Sequence, residues 1–446
     1  MPGHGRDTEN HRKSSMIKKL LSFGRYSLLS GVALILGFGR ELTVSATFGL
    51  SKELDVYLAI SGFFIFFGTQ ISNALEMVFV SKSALLDSAE RVTAQFFKLL
   101  KVLLFLNLAV LTLLYGASGH LIAWIFPGLD QGQRELGVLM LSWLLVAIVL
   151  ANVSGLIRAC LNVLRIFSPG MLAGSIISLS SIIAMLLFGD DIGIRALLYG
   201  FIIGNALVFI MNTFFFLRVA DFSYRQRLPK DKGTDHGVWK AVSIVLIGEV
   251  AFQGFSMTEK SFSSTFEKGT LSAFFYAWTL VNVPLSLVVM PLSTVLYPRL
   301  AEAFGKDRRQ GYAIFKRYGG LLFVFGLAVV AILSLFSEIF VKLIFMRGNF
   351  SESDAEKTAR ILSVLIFSLP LMSLSRLSRY SLYSLSNYSG PVLALALSWL
   401  VIAGMAWLLI PEYGVLGLAC ASTLAVATEA LAMFFILRVS LGNAKF

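Results

Sequence analysis

Twelve long apolar segments follow one another along the chain, separated by short polar links. A run of about 20 apolar residues can cross the hydrocarbon core of a bilayer as a helix. Hydrophobic residues make up 57% of the chain and charged residues only 14%, so lipid is the expected solvent. The sequence therefore predicts an all-α polytopic membrane protein with twelve transmembrane helices. The predicted spans are residues 26–48, 56–86, 96–115, 136–157, 168–188, 194–217, 238–262, 271–296, 318–336, 359–383, 391–410 and 415–437.

The loops between these segments differ in charge. Most of the 38 lysine and arginine residues lie in the N-terminal tail and in every second loop, including the basic stretch 218–240. Cytoplasmic loops carry an excess of lysine and arginine, so both termini and this stretch are predicted to be cytoplasmic. The net charge of +12 is then a topology signal, and no nucleic-acid partner is predicted.

The chain contains an internal repeat. The stretch ATFGLSKELDVYLAI at 46–60 aligns with STFEKGTLSAFFYAW at 264–278, and at the same offset FK at 97–98 aligns with FK at 315–316. Two halves with six spans each share one orientation, which is typical of transporters with the site between parallel repeats. We therefore predict two six-helix lobes related by pseudo-two-fold symmetry around a central cavity. The predicted boundaries are a basic tail 1–25, an N-terminal lobe 26–217, a linker 218–237, a C-terminal lobe 238–438 and a C-terminal tail 439–446.

The sequence lacks the common catalytic signatures. It contains no GxxxxGK[ST] phosphate loop, no dinucleotide-binding fingerprint, no HExxH and no recognisable Ser/His/Asp arrangement. Its two cysteines and four histidines are scattered, so no metal site and no cofactor are predicted. The chain is therefore not expected to be an enzyme. Transport would draw on a Na⁺ or H⁺ gradient, the membrane potential or the substrate gradient.

Charged side chains interrupt the first two spans. Arg40 and Glu41 lie within the first apolar segment, Asp55 opens the second, and Glu76 lies further along it. A charge at membrane depth costs roughly 2.5–3.5 kcal/mol to insert, so such residues usually face a cavity or a partner. Two interpretations stay open. In the first, Arg40 forms an ion pair with Glu41 or Asp55 that only holds helices together. In the second, these residues form the charged wall of a transport cavity.

The second half of the chain carries its own ionisable residues. Glu249 and Glu259 lie roughly three helical turns apart on one face of the seventh span, where a buried carboxylate can bind Na⁺ or carry a proton. A solvated position for Glu259 at the outer interface is the alternative. Arg376 and Arg379, one turn apart in the tenth span, can bind an anionic headgroup or act only as cytoplasmic anchors.

Several motifs resemble one known family of transporters. The motifs GFGREL and ATFGLSKELDVYLAI, LYPRLAEAF at 296–304, FMRGNFSESD at 345–354 and EYGVLGLACASTLA at 412–425 are similar to segments of the MurJ/MviN lipid II flippases. The resemblance implies the twelve-helix core of the multidrug/oligosaccharidyl-lipid/polysaccharide exporter superfamily. It also implies flipping of an undecaprenyl-diphosphate-linked saccharide, lipid II-like or an exopolysaccharide precursor, across the bacterial cytoplasmic (inner) membrane by alternating access. Enzymes of peptidoglycan or polysaccharide synthesis are the partners that it implies.

The resemblance extends to individual site residues, and some positions depart from it. Arg40, Glu41, Asp55 and Arg376 match charged positions of the family, and Glu259 falls near a carboxylate that binds sodium in some members. The predicted substrate-binding residues are Arg40, Glu41, Asp55, Arg376 and Arg379, and the predicted ion-coupling residues are Glu259 and Glu249. Where the family carries further arginines or an acid, this chain has Leu34, Gly68, Thr69, Thr279 and Asn387. The family's last two spans, thirteen and fourteen, are missing. Fewer cations predict weaker binding of a diphosphate and favour a polysaccharide precursor over lipid II itself.

Two other functions fit the same sequence. An ion-coupled multidrug or organic-cation antiporter on the same core would need Asp55 or Glu259 for its cationic substrate and would tolerate loss of Arg40. A non-transporting scaffold for a glycan-synthesis complex would tolerate the missing arginines. The intramembrane charges argue against the scaffold, because a scaffold gains nothing from their insertion cost.

Overall fold

The chain folds almost entirely into helices in a computed structural model that describes residues 31–83, 89–221 and 235–442. The predicted tail 1–25, most of the linker 218–237 and the last residues of the C-terminal tail lie outside these ranges, and the domain boundaries stay predictions. The described helices are α1 Gly31–Phe48, α2 Lys52–Phe64, α3 Ile71–Ser83, α4 Ala89–Ile125, α5 Gln131–Val163, α6 Ser168–Ile192, α7 Ile194–Val219, α8 Asp235–Ser263, α9 Thr270–Pro284, α10 Met290–Lys306, α11 Arg308–Leu335, α12 Ser337–Phe345, α13 Glu352–Leu365, α14 Ser368–Ser384 and α15 Ser389–Leu441.

These helices supply twelve membrane crossings. By length and composition nine stretches of the described chain can cross a membrane, and the pair α13–α14, bent by 48°, makes a tenth. The 53-residue α15 holds two crossings because its backbone leaves the helical conformation at Gly414, with φ 56° and ψ −130°. The chain turns back there, because Gly417 lies against the backbone of Leu409, eight residues earlier. A Cβ atom added at Gly417 would be 2.4 Å from the Leu409 carbonyl oxygen. With α8 the count reaches twelve, and the predicted fold class is confirmed.

The second and eighth crossings are each interrupted by a π-helical turn. The 13-residue α2 passes into α3 through Ile65–Gln70, and the 15-residue α9 passes into α10 through Leu285–Val289. The second of these turns follows Pro284, which has no N–H to complete the α-helical ladder. Pro284 therefore produces a widened turn within a helix that continues.

The internal repeat is also visible in the backbone conformation. Arg165 and Ser386 are the two non-glycine residues of the described chain with positive φ, 63° and 57°, and they precede the fifth and the eleventh crossing. Gly193 and Gly414 have nearly the same dihedral angles and form the turns after those crossings. Because the same unusual turns recur at corresponding places, the halves share one architecture.

Within the described ranges, buried apolar residues form three clusters that show how the two lobes meet. One large cluster contains residues of both lobes, such as Leu54 from the N-terminal lobe and Tyr276 and Phe345 from the C-terminal lobe. Each smaller cluster belongs to one lobe, one around Phe96 and one around Phe315. We name the end with the shared cluster the outer end and the opposite end the inner end. The lobes are therefore packed together at the outer end and have separate cores at the inner end. The loop charges predict that the outer end is external.

Candidate functional site: a cavity between the lobes

An elongated cavity between the lobes consists of three adjoining chambers. The central chamber, about 380 Å³, is lined mainly by α8 and α9. The lateral chamber, about 630 Å³, lies between α1 and α9, and the N-lobe chamber, about 180 Å³, lies behind α1. Asn282 lines both the central and the lateral chamber, and Ser61 lines both the central and the N-lobe chamber. Arg40 lines both the lateral and the N-lobe chamber. Since neighbouring chambers share their walls, we treat them as one site.

Arg40 and Glu41 form a local ion pair on the wall of this cavity. The Arg40 Nε group donates a hydrogen bond to Glu41 Oε1 at 3.0 Å, and Arg40 Nη2 contacts the same oxygen. Because both residues belong to α1, their pairing does not hold two helices together. Both line the lateral and the N-lobe chambers. A guanidinium has five N–H donors, so Arg40 keeps donors for a ligand while it is paired with Glu41.

Asp55 is buried at the outer end, where its carboxylate caps a helix of the opposite lobe. Its Oδ2 accepts a hydrogen bond from the Gly269 N–H at 2.6 Å. Its Oδ1 accepts from the Ser272 N–H at 2.8 Å and from the Ser272 hydroxyl at 2.6 Å. These donors lie at the N-terminus of α9, where unpaired N–H groups and the helix dipole favour a negative charge. We name this contact the outer latch. Asp55 is engaged as a cap in this conformation, and its substrate-binding role stays a prediction.

The loop before α13 makes a second contact between the lobes at the outer end. The Asn349 N–H donates to the Ala46 carbonyl oxygen at 2.7 Å, and Asn349 Nδ2 donates to the Thr47 carbonyl oxygen at 2.6 Å. Both carbonyls belong to the last turn of α1, where the helix offers them no donor. Gly348 has a φ of +57°, and a Cβ atom there would lie 2.2 Å from the Ala46 carbonyl oxygen, so the position requires glycine. The motif FMRGNFSESD therefore closes the outer end, a role that sequence analysis missed.

Glu259 and Lys260 are neighbours on α8 but make different contacts. Trp278 Nε1 donates to both carboxylate oxygens of Glu259, at 2.8 Å and 3.0 Å. Lys260 Nζ donates to the Leu58 carbonyl oxygen of the opposite lobe at 2.5 Å. Both residues line the central chamber, and Glu259 is only 6% exposed, so it does not occupy the solvated interfacial position considered as the alternative. Its ion-coupling role stays a prediction.

Charged residues from α14 and α15 meet beyond the central chamber. Arg379 Nη2 pairs with Glu429 Oε1 at 2.9 Å, and the Ser375 hydroxyl donates to the same oxygen at 2.7 Å. Glu429 also lines the central chamber, and this pair therefore lies at its boundary. The Arg376 guanidinium lies 5.9 Å from the centre of the Tyr380 ring, and its buried Nε has no hydrogen-bond partner within the described ranges. Sequence analysis missed Glu429, although an acid within an apolar segment is a visible signal.

Glu249 lies apart from Glu259 on the same helix. It is within electrostatic reach of Arg379 and is not part of the central chamber's lining, whereas Glu259 is. The two carboxylates predicted to couple transport to an ion are therefore not brought into one site in this conformation. The role of each stays a prediction.

Glu76 has its partner within its own lobe. Arg158 Nη2 and Nε donate to Glu76 Oε2 at 2.8 Å and 3.0 Å, and Asn162 Nδ2 donates to Glu76 Oε1 at 2.8 Å. Arg158 and Arg379 lie at the same distance from the ends of α5 and α14, which are corresponding helices of the repeat. Each lobe therefore holds an arginine–carboxylate pair in which the arginine occupies the same repeat position, while the carboxylates come from different helices, α3 and α15. Sequence analysis identified Glu76 but not its partner, because hydropathy does not show which helices meet.

Comparison with known proteins finds relatives along most of the chain. The family model described as "Lipid II flippase MurJ" matches residues 44–445. The "Probable lipid II flippase MurJ" of Buchnera aphidicola subsp. Schizaphis graminum is 24% identical over 384 residues, which cover 80% of this chain and 70% of that protein. The protein of the same name from Aquifex aeolicus is 23% identical over 413 residues, covering 88% and 79%. That from Bdellovibrio bacteriovorus is 25% identical over 284 residues, covering 62% and 54%.

Solved structures show the same two-lobed fold. A structure described as "Lipid II flippase MurJ, inward closed conformation" has a TM-score of 0.79 and 20% identity, and the match covers 93% of this chain and 87% of that one. An inward-facing multidrug resistance transporter of the MATE family has a TM-score of 0.75 and 14% identity, covering 94% and 100%. At such identities the likeness shows the fold alone.

Proposed function

Because the chain belongs to the MurJ lipid II flippase family, we propose that it moves an undecaprenyl-diphosphate-linked saccharide across the cytoplasmic membrane by alternating access. A flippase moves its substrate without changing it chemically, so the protein is a transporter and not an enzyme. The observation that carries the proposal is the cavity between the lobes, which has Arg40 on its wall and is closed at the outer end.

The lateral chamber is suited to both parts of a lipid-linked substrate. Its lining combines apolar residues of α1, such as Leu34 and Phe38, with Arg40 and the polar Asn282. Apolar walls suit a polyprenyl chain, and a few placed polar groups suit the diphosphate and the first sugar. Because the chamber opens between α1 and α9, the lipid chain can stay in the bilayer while the headgroup enters the cavity.

Two departures from the family pattern lie in this same chamber and bear on the substrate. Leu34 and Thr279, which stand where the family carries arginines, both line it. Arg40 is the one cation in the chamber's lining among the described residues, and it is paired with Glu41. A site with fewer guanidinium groups binds a diphosphate less strongly. This supports a polysaccharide precursor, rather than lipid II itself, as the substrate.

We further infer that a coupling ion, Na⁺ or H⁺, returns the lobes to the inward state. Glu259 is the favoured coupling residue because it is a buried carboxylate on the wall of the central chamber, where the neutral Trp278 N–H group donates to both of its oxygens. A bound cation or a proton would offset the cost of burying its charge. Glu249, near Arg379, is the second candidate. No other cofactor is proposed.

The cellular setting follows from the same reasoning. The protein is a multi-pass membrane protein of the MurJ family. Membership of this family supports location in the bacterial inner membrane, and the loop charges support cytoplasmic termini. Enzymes that build or polymerise the lipid-linked saccharide would be its functional partners, because they supply or consume its substrate on either side.

A second candidate function rests on the carboxylates of the C-terminal lobe. Glu259 and Glu429 both line the central chamber, and acidic residues there would suit an organic cation. An antiporter of such cations would need Glu259 and would tolerate loss of Arg40. The variants Arg40→Ala and Glu259→Gln therefore distinguish a flippase from an organic-cation antiporter.

The deciding experiment measures flipping of an undecaprenyl-diphosphate-linked saccharide in proteoliposomes. We expect Arg40→Ala to abolish flipping and Arg40→Lys to retain part of it, since the charge survives while the planar fork is lost. Arg195→Ala is the matched control, because Arg195 is exposed and lies outside the cavity. Flipping at the wild-type rate by Arg40→Ala would refute the role of Arg40. Exchange of organic cations by that variant, lost in Glu259→Gln, would favour the antiporter.

A further inference from the structure

Lys260, in the last turn of α8, reaches across the boundary between the lobes. Its Nζ donates a hydrogen bond to the Leu58 carbonyl oxygen of α2 at 2.5 Å. Leu58 lies one helical turn beyond Asp55 of the outer latch. The side chain of Lys260 also lines the central chamber. Its amine is therefore part of both the cavity wall and the contacts that close the outer end.

The charge of Lys260 has no close carboxylate partner within the described part of the chain. Arg40, the other cation in the lining of the three chambers, is paired with Glu41. Glu259 precedes Lys260 directly, but its two oxygens accept from Trp278. Consecutive helical residues point about 100° apart, which keeps the amine and this carboxylate from pairing directly. Among the described residues, Lys260 is thus the cation of the cavity lining that is not held in an ion pair.

The present acceptor of Lys260 is easily replaced. The Leu58 carbonyl oxygen also accepts a hydrogen bond from the Ser61 hydroxyl at 2.8 Å, so it keeps a partner when the amine leaves. An ammonium is attracted more strongly by a phosphate oxygen, which carries a negative charge, than by a neutral carbonyl oxygen. The flexible four-carbon stem of lysine allows its ammonium to turn from the carbonyl toward an anion in the chamber.

We propose that Lys260 binds a phosphate oxygen of the substrate and, in doing so, releases the hydrogen bond that it makes to the opposite lobe. This inference rests on the proposed function, because it takes a diphosphate-bearing lipid as the ligand. Occupancy of the central chamber then removes one contact from the closed outer end. The loaded carrier opens outward more readily than the empty one, since the ligand binds the two states differently.

The experiment measures the distance across the outer end together with ligand binding. Spin labels are attached at Gln131 and Ser353, which are exposed at the outer ends of the two lobes, with Cys160 and Cys420 replaced by alanine. The probe is undecaprenyl diphosphate in nanodiscs, and undecaprenol, which lacks the diphosphate, is the control lipid. The variants are Lys260→Met, which keeps length without charge, and Lys260→Arg. Lys98→Met, at an exposed position of α4, is the matched control.

In the wild-type protein we expect undecaprenyl diphosphate, but not undecaprenol, to lengthen the distance between the labels. Lys260→Met should show more of the long distance without ligand, bind undecaprenyl diphosphate roughly tenfold more weakly and respond little to it. Lys260→Arg should keep the response, and Lys98→Met should match the wild type.

The two ways in which these ideas can fail give different results. If Lys260→Met binds and responds like the wild type, the role of Lys260 is overturned while the proposed function stands. If the wild-type protein does not bind undecaprenyl diphosphate, the proposed function fails, and with it the ligand assigned to Lys260. The distance in ligand-free Lys260→Met then still decides whether its hydrogen bond to Leu58 holds the outer end closed.

Discussion

Replacement of Asp55 by alanine should shift the protein from the outer-closed to the outer-open state. The carboxylate accepts hydrogen bonds from Gly269 N–H, Ser272 N–H and the Ser272 hydroxyl, at 2.6, 2.8 and 2.6 Å. Asp55→Ala leaves two backbone N–H groups without acceptors in the closed state, and each such group costs about 1–3 kcal/mol. Water satisfies the same groups when the outer end is open.

The expected size of this shift follows from the loss of a buried cap. Taking about 1–2 kcal/mol for each N–H group, the lower part of that range, the total of about 2–4 kcal/mol should raise the ratio of open to closed molecules roughly 30- to 1,000-fold. Asp55→Asn keeps one acceptor oxygen but presents an NH₂ group to the other donors, and its effect should be smaller. Both variants should fold, because each half of the outer latch lies within a lobe that keeps its own packing.

The assay is the distance between labels on the two lobes at the outer end, measured in nanodiscs without ligand. Asp130→Ala is the matched control, because Asp130 also caps a helix, α5, but within one lobe. The hydrogen bond from the Gln133 backbone and the contact with Lys52 lower the pKa of Asp130, so this carboxylate is ionised at neutral pH. We expect a long-distance population in Asp55→Ala and none in Asp130→Ala. A wild-type distance distribution in Asp55→Ala would refute the assignment of Asp55 as a latch.

Three further predictions concern coupling, topology and stability. Glu259→Gln keeps the shape of the side chain and should slow flipping and remove its dependence on the Na⁺ or pH gradient, with an unchanged melting temperature; wild-type gradient dependence would exclude Glu259 as the coupling residue. Cysteine at Ser353 should react with an impermeant thiol reagent added to intact cells and cysteine at Lys230 should not, and external labelling of Lys230→Cys would contradict the twelve-span topology. Gly414→Ala should cost about 1–3 kcal/mol of stability, because a φ of 56° with a ψ of −130° strains any residue with a Cβ. The loss should appear as a lower melting temperature, and Gly404→Ala, where a Cβ meets nothing within 4 Å, is the control.

The crossings and the repeat can be predicted from this sequence because both depend on local information. An apolar segment is recognised from its own residues, and the repeat is recognised by aligning 46–60 with 264–278. The family resemblance is likewise carried by short motifs, and the family match confirms it. The position of the break in α15 is also local, since a glycine follows Tyr413 between two apolar stretches.

The partners of the buried charges could not be predicted, because they depend on which helices pack together. Asp55 is predicted to bind substrate, and its contact with Gly269 of the opposite lobe in this conformation is not visible in the sequence. Arg379 is predicted to bind an anionic headgroup or to act as a cytoplasmic anchor, and its pairing with Glu429 of the twelfth crossing is likewise not visible there. Hydropathy places such residues at membrane depth, but it does not distinguish a cavity wall from a contact between helices. The acceptor of Lys260 could not be predicted either, because a backbone carbonyl of another helix leaves no trace in the sequence.

The shared cluster of apolar residues at the outer end gives the transport cycle a thermal signature. When the lobes part there, apolar side chains that now pack across the boundary between α2 and α9 meet water entering from outside. Exposure of apolar surface to water raises the heat capacity, and the attraction lost in that step weakens on cooling. Opening the outer end should therefore have a positive heat-capacity change, and a plot of the logarithm of the open-to-closed ratio against inverse temperature should be curved. Among the residues whose burial the structure describes, the inner end has no apolar core common to both lobes, so the two halves of the cycle should respond differently to temperature.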